Sequence, residues 1–285
     1  MKILVTGGSG RIGRYVVREL VQAGHEVTSA DVVPPANALC RALRVNLTDA
    51  GEVFQAVATA QAEAVVHLGA WANAGVVPDT RTYGDNVRGT FHVFQVCADL
   101  GVRRVVSASS AQVYGLAKAP PLYVPMDEAH PLRPTNCYAL SKMAGEQAAE
   151  YFVARYSLTI LSFRLMGVRT PAELSPEMDR IAQDPGSDTG LLWTRTDARD
   201  AALACRLAVE TEEVPPGPYN ITGSRVVLSE PTAALVERYF GEGTVVKGAL
   251  PDHASPLSCA RAEAAFGYRP RFPWSVSQRH PEPDL

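Results

Sequence analysis

The chain is short of the features that mark exported, metal-bound and membrane-spanning proteins. Its five cysteines (Cys40, Cys97, Cys137, Cys205 and Cys259) are odd in number and form no C-x-x-C pair. That argues against a disulfide framework and against a zinc site, so reduced thiols and no metal are expected. There is no basic excess: the formal net charge is −3, so neither nucleic acid nor an anionic membrane is expected as a partner. No apolar run reaches the ~18 residues that cross a bilayer, and the first strand begins at once, so no export leader is expected. A soluble, cytoplasmic protein is expected. Hydrophobic residues at 46% and charged residues at 20% suit an ordinary globular chain. Its 285 residues are enough for one large α/β domain or one domain and a half.

The first 31 residues organise the rest. A short apolar strand (Ile3, Leu4, Val5) runs into Thr6-Gly7-Gly8-Ser9-Gly10-Arg11-Ile12-Gly13, followed by an amphipathic helix from Arg14 to Ala23 and a second apolar run ending at Asp31. Gly7 and Gly8 allow a tight bend, Gly10 lets backbone approach a pyrophosphate, and Gly13 lets the helix sit close on the strand. The free amides of the helix N-terminus, with Arg11 and Ile12 at its edge, are then aimed at the anion. Asp31 is placed to accept both ribose hydroxyls of an adenosine and to repel a 2′-phosphate. Its neighbours Val32, Val33 and Pro34 supply no arginine, so NAD is favoured over NADP.

Beyond Asp31, strands and helices alternate. Strands are expected at 42–45, 64–70, 104–108 and 159–163, and helices at 52–60 (capped by Thr48 or Asp49), 83–100 and 138–156. Between them, residues 116–136 hold Pro120, Pro121, Pro125, Pro131 and Pro134 and read as a functional loop without regular structure. Such alternation implies a doubly wound parallel sheet with right-handed crossovers. After Arg164 the pattern loosens: a short helix at 176–183, a helix at 198–210, a strand at 219–221 and a helix at 230–240 are expected, then a frayed tail from Gln278. This divides the chain into a dinucleotide-binding domain, 1–164, and a smaller substrate-binding region, 165–285, of which 191–222 partly returns to the main sheet.

Tyr138-Ala139-Leu140-Ser141-Lys142 sets a phenol and an ammonium four apart on one helix face. The ammonium favours phenolate, so Tyr138 is a candidate base for a substrate hydroxyl. Lys142 also reaches the cofactor ribose. Ser110, or its neighbour Ser109, ends a strand where ligands gather in such sheets and can steady oxyanion charge. His67 reads as a core histidine, and Cys137 as packing. Trp71 and Tyr114 follow strand ends and read as walls of a substrate pocket.

Taken together, the glycine turn, His67-Leu68-Gly69-Ala70, Asn86-Val87-Arg88-Gly89-Thr90, Ser109 to Gly115, His130 to Pro134 and Tyr138 to Lys142 resemble the extended short-chain dehydrogenase/reductase superfamily, in its NAD-dependent epimerase/dehydratase branch. The resemblance covers residues 1 to about 165 and implies a Rossmann fold with a smaller C-terminal substrate-binding domain. It makes Ser110, Tyr138 and Lys142 the catalytic triad. It adds Asn46, Leu47, Leu68, Gly69, Ala70 and Asn86 to the cofactor-binding set of Gly7, Gly10, Arg11, Ile12, Gly13 and Asp31. It implies a homodimer built on the long helices that start near 83 and 138. The substrate-binding set is Trp71, Ser110, Ala111, Gln112, Arg164 and Gly167. Ala111 and Gln112 stand where dehydratases of this type carry an acid pair, which argues against water elimination. Gly167 lies near the place of an asparagine that holds nucleotide sugars in the epimerases, and Trp193 near that of a diphosphate-gripping arginine, for which Arg195 is a substitute two residues away. The implied reaction is NAD-dependent oxidation at a secondary hydroxyl of a sugar or nucleotide sugar, either in an epimerase that keeps NAD bound or in a dehydrogenase that releases NADH. A free-sugar or uronate dehydrogenase, a reductase of non-sugar carbonyls (suggested by Leu165 and Met166) and a non-enzymatic dinucleotide sensor are the alternatives.

Overall fold

The computed structural model describes residues 1–35 and 38–282. The first half runs β1 (Lys2–Thr6), α1 (Gly13–Gln22), β2 (Glu26–Asp31), β3 (Arg41–Arg44), α2 (Ala50–Ala60), β4 (Ala64–His67), α3 (Asp79–Leu100) and β5 (Arg104–Ser110). It continues with β6 (Tyr123–Val124), α4 (Cys137–Tyr156) and β7 (Thr159–Leu165). The second half adds β8 (Val168–Arg169), α5 (Pro171–Gln183), β9 (Thr196–Asp197), α6 (Ala198–Glu210), β10 (Gly217–Ile221), α7 (Thr232–Phe240), β11 (Val245–Val246) and α8 (Ala260–Phe266).

Seven strands form one parallel sheet in the order β10-β7-β5-β4-β1-β2-β3. Its central strands are buried along their length, as a sheet covered on both faces requires. One apolar core joins the sheet to α1, α6 and α8 through residues such as Val16, Leu20, Ala201 and Phe266. The other face buries Val53, Val57, Phe94 and Phe152 of α2, α3 and α4. A further core gathers Met166, Met178, Trp193 and Val226 against Val113 and Met126. Strand order reverses between β1 and β4, which opens a crevice at their carboxyl ends, the usual ligand position of such sheets.

Several elements differ from expectation for local reasons. Strand β4 stops at His67, where the Gly69 amide leaves the ladder and donates to the Thr6 side-chain oxygen Oγ1 (3.4 Å). Helix α3 begins at Asp79 rather than 83, since Pro78 sets an extended entry and its carbonyl accepts the amides of Arg81 and Thr82 at 2.9 Å. Helix α5 begins five residues before the expected Pro176, on a Thr170–Glu173 capping box with Pro171 in its first turn. Pro176 is carried inside that helix. In the proline-rich loop, the two residues of β6 pair with β11, so it is not wholly irregular. Helix α8, absent from the sequence reading, is closed by Gly267 at φ +70°. The described part of the expected frayed tail is held: Arg199 donates to the His280 carbonyl at 2.8 Å, and Arg279 to that of Ser175 at 2.7 Å. Residues 283–285 of that tail lie outside the described residues, as do 36 and 37 of the loop after Asp31.

Candidate active site

The crevice is a cleft of about 1260 Å³. At its base the glycine turn is fixed by sterics. Gly7 has φ +69°, and a Cβ there would fall 2.6 Å from the Gly69 amide nitrogen. One on Gly13 would fall 2.0 Å from the Gly7 carbonyl oxygen. Helix α1 starts without a side-chain cap and without an acid in its first turn, which leaves its positive end open to an anion. The buried Ser9 hydroxyl has no protein partner. Gly10, Arg11 and Ile12 line the cleft here, and Arg11 Nη1 donates to the Val168 carbonyl at 3.4 Å.

Asp31 ends β2 at the cleft wall, one carboxylate oxygen accepting the Ser9 amide at 3.0 Å and the other the Val33 amide at 3.3 Å. The strand register places Arg44 directly beside Asp31, and Arg44 also lines the cleft. Strand register and not proximity in the chain brings Arg44 there, so its approach to Asp31 is invisible in the residues that flank Asp31. Asn46 and Leu47 border the same end. Asn46 Oδ1 accepts from the amide and hydroxyl of Thr48, and the Leu47 carbonyl accepts from His92 at 2.9 Å.

At the other end, Tyr138 and Lys142 project from α4 into the cleft wall with Leu68, Gly69 and Ala70 opposite. Asn136 caps α4 by accepting the Ala139 amide at 2.8 Å and so sets the first turn that carries Tyr138. Lys142 Nζ donates to the Ala108 carbonyl at 2.8 Å and lies 5.7 Å from the centre of the Tyr138 ring. Burial lowers the Lys142 ammonium to a pKa of about 8. Burial also pushes the Tyr138 phenol up, and a hydrogen bond with Ser110 pulls it the other way. The choice between the two serines is geometric. Ser109 Oγ donates to Glu146 at 2.5 Å, whereas Ser110 faces Tyr138 and accepts the Gln112 amide at 3.2 Å. Trp71, Ala111, Gln112 and Gly167 line this end, with Leu165 and Met166. His67 is a core residue, bonded to the hydroxyls of Thr6 (2.8 Å) and Thr90 (3.1 Å). Burial, then Lys142, lowers it to a pKa of about 3, so it is neutral.

Four expected ligand contacts are spent inside the protein. Arg164 does not line the cleft. It is buried against Glu146 (Nη2 to Oε2, 2.7 Å) and donates to the Tyr114 hydroxyl and the Glu128 carbonyl, each at 2.9 Å. Tyr114 is accordingly part of that network, donating to Asn220 at 2.7 Å, and not a pocket wall. Arg195 is fully buried between Asp188 and Glu177, so it cannot replace the missing diphosphate arginine. Asn86 borders the cleft, but its side chain accepts the Trp71 amide at 2.8 Å and donates to the Trp71 carbonyl at 3.1 Å and to Ser141 at 3.0 Å. These bonds tie the Trp71 wall to α4. Among the described residues no cluster of His, Cys, Asp or Glu could hold a metal ion, and no helix is long and apolar enough to cross a membrane.

Residues 3–184 match the NAD dependent epimerase/dehydratase family. The chain is 36% identical to a UDP-glucose 4-epimerase of Streptomyces lividans over 166 residues, 52% of this chain and 48% of that one. It is 29% identical to a uronate dehydrogenase of Pseudomonas syringae pv. tomato over 167 residues, 58% of each. The match thus spans about half the length of these curated relatives. Among solved structures, it superposes on a short-chain dehydrogenase/reductase superfamily protein from Agrobacterium tumefaciens with bound NAD (TM-score 0.73, 24% identity, 96% of this chain and 93% of that one). It also superposes on the UDP-glucose 4-epimerase of Thermotoga maritima with UDP-glucose (TM-score 0.72, 22% identity, 95% and 94%). At these identities the superpositions establish the fold.

Proposed function

The chain belongs to the NAD dependent epimerase/dehydratase family, and from that premise we propose that it is an NAD-dependent oxidoreductase acting on a secondary hydroxyl of a sugar or nucleotide sugar. The carrying observation is that Ser110, Tyr138 and Lys142 meet in the wall of the same cleft whose other end holds the glycine turn and Asp31. The residues present fit the dinucleotide. The uncapped α1 terminus and the unpartnered Ser9 hydroxyl suit its pyrophosphate, and the Asp31 carboxylate its ribose. NAD, when bound, supplies a hydride acceptor and a positive charge beside the phenol.

In this reading Tyr138 takes the proton of the substrate hydroxyl and returns it in the reverse direction. Ser110 hydrogen-bonds the same oxygen. Lys142 holds the cofactor ribose and lends its charge to the phenolate. Residues 1–164 bind the dinucleotide and 165–285 close over the substrate. Two protomers pair through α3 and α4, whose outer faces expose Phe91 and Tyr151.

A second reading, a free-sugar or uronate dehydrogenase, is favoured by two features: Arg195 is consumed by Asp188 and Glu177, and Gly167 has no side chain to offer. The grip expected for a nucleotide diphosphate is therefore weak. The test is the absorbance of reduced nicotinamide when the protein is mixed with NAD⁺ and a panel of uronic acids, free sugars and sugar nucleotides. A steady rise identifies a dehydrogenase and its substrate class. No rise, with cofactor that co-purifies and a sugar nucleotide changed by NMR, identifies an epimerase. No cofactor binding and no conversion overturns the proposal.

A further inference from the structure

Four arginines line the cleft: Arg11, Arg44, Arg81 and Arg169. Arg11 sits on the phosphate turn and Arg44 beside Asp31, both at the dinucleotide end. Arg169 is engaged on every side, with Nη1 on the Val168 carbonyl (3.0 Å) and Nε and Nη2 on Glu177 (3.2 and 3.4 Å). Arg81 is different. Its Nε is held by Asp85 Oδ2 at 3.2 Å, while among the described residues neither terminal nitrogen has a partner. The same Asp85 oxygen accepts Trp71 Nε1 at 2.9 Å, and the Arg81 guanidinium lies 5.2 Å from the Trp71 ring. One carboxylate thus fixes both an indole plane and a guanidinium packed against it, leaving the two outer Nη groups as a preset donor fork.

This fork belongs to the substrate end. Asp79, two residues before Arg81, accepts from Cys137 Sγ at 3.0 Å, next to Tyr138. Asn86, one residue after Asp85, joins the Trp71 backbone to Ser141, next to Lys142. The start of α3 is therefore pinned to the start of α4 on both sides of the Arg81–Asp85 pair.

We propose that Arg81, set by Asp85 and Trp71, is an anion-binding subsite that selects sugars carrying a carboxylate or a phosphate, with the sugar face against the indole. The inference rests on the proposed sugar oxidoreductase and names the charge class of its substrate. Asp85 offsets much of the net positive charge, so selectivity comes from the paired N–H donors, which match a carboxylate or phosphate edge. The Arg81 side chain is 61% exposed, and the effect is correspondingly moderate.

The test titrates NAD⁺-loaded protein with glucuronate, glucose 1-phosphate and glucose, following tryptophan fluorescence and calorimetric heat, and then repeats turnover with each compound. Trp193 and Trp274 are buried, which makes Trp71 the reporter, and W71F serves as its control. The expected result is binding of at least one anionic sugar about tenfold tighter than glucose. R81A should lower that ratio to within about twofold without changing glucose binding or NAD⁺ affinity, and R81K should keep part of it. Preference for glucuronate assigns a carboxylate, and preference for the phosphate ester a phosphate. Equal binding of the three compounds, or an equal loss on all of them in R81A, overturns the subsite while leaving the oxidoreductase reading intact. Failure to bind NAD⁺ overturns that reading instead.

Discussion

Glu146 grips the guanidinium of Arg164 with both carboxylate oxygens, Nε lying 3.0 Å from Oε1 and Nη2 2.7 Å from Oε2, with both side chains more than nine-tenths buried. The pair joins α4 to β7 directly behind Ser109 and Ser110. Removing one partner strands the other charge in the core, so E146A and R164A should each lose about 3–5 kcal/mol of stability. Replacing both with apolar residues of similar size (E146L with R164M) should cost less than either alone. Urea denaturation of the three variants checks this, and additivity would contradict the pairing.

Tyr138→Phe removes a proton acceptor and leaves the packing of the ring. It should lower turnover by at least the ~10²–10⁴-fold typical of a general base, with NAD affinity within about twofold of the parent and an unchanged melting temperature. Equal turnover in the variant would remove Tyr138 from the chemistry.

Gly13→Ala places a methyl group 2.0 Å from the Gly7 carbonyl, where two stretches of backbone must shift. Loss of NAD binding in calorimetry is expected, together with a lower melting temperature.

Burial holds the Lys142 ammonium at a folded pKa of about 8 against the ordinary lysine value of 10.5. Between these values the unfolded chain holds a proton that the folded chain has lost, so this group makes stability rise with pH across that window; below about 8 both states are protonated and its contribution is flat. The difference in unfolding free energy between the parent and K142M should therefore grow in favour of the parent from pH 8 to pH 10. His67 acts on the acid side. With its folded pKa lowered to about 3, stability is lost as pH falls below the ordinary histidine value of ~6.5.

Phe91 and Tyr151 are 43% and 52% exposed on α3 and α4. If these faces pair two protomers, F91E combined with Y151E should convert a dimer into a monomer in sedimentation, with the far-UV spectrum retained. A parent that sediments as a monomer removes the dimer.

How much could be read in advance follows from the range of the interactions. The glycine turn, the alternation of strands and helices, and the Tyr138–Lys142 spacing are local patterns, and each forms where the chain order places it. Helix α5 was legible too, since Thr170 and Glu173 form a capping box, but Pro176 drew the start too late. The fates of Arg164, Tyr114, Asn86 and Arg195 were not legible. Each of these side chains is satisfied by a residue tens of positions away or by a neighbouring acid whose direction only packing decides. Arg44 and Arg81 stayed hidden for the opposite reason. One is brought to Asp31 by strand register, and the other gains meaning only when Trp71 folds back against it.

The contact of Gly7 with Gly69 has a consequence for how the pocket can change. Where β1 and β4 turn, main chain lies against main chain, and at Gly7 a Cβ would fall on the Gly69 backbone, so no added side chain fits at that position. Gly7 accepts no larger residue. A change in what the cleft accepts is therefore open on the rim, at positions such as Trp71, Arg81 and Gln112, and closed at the seam.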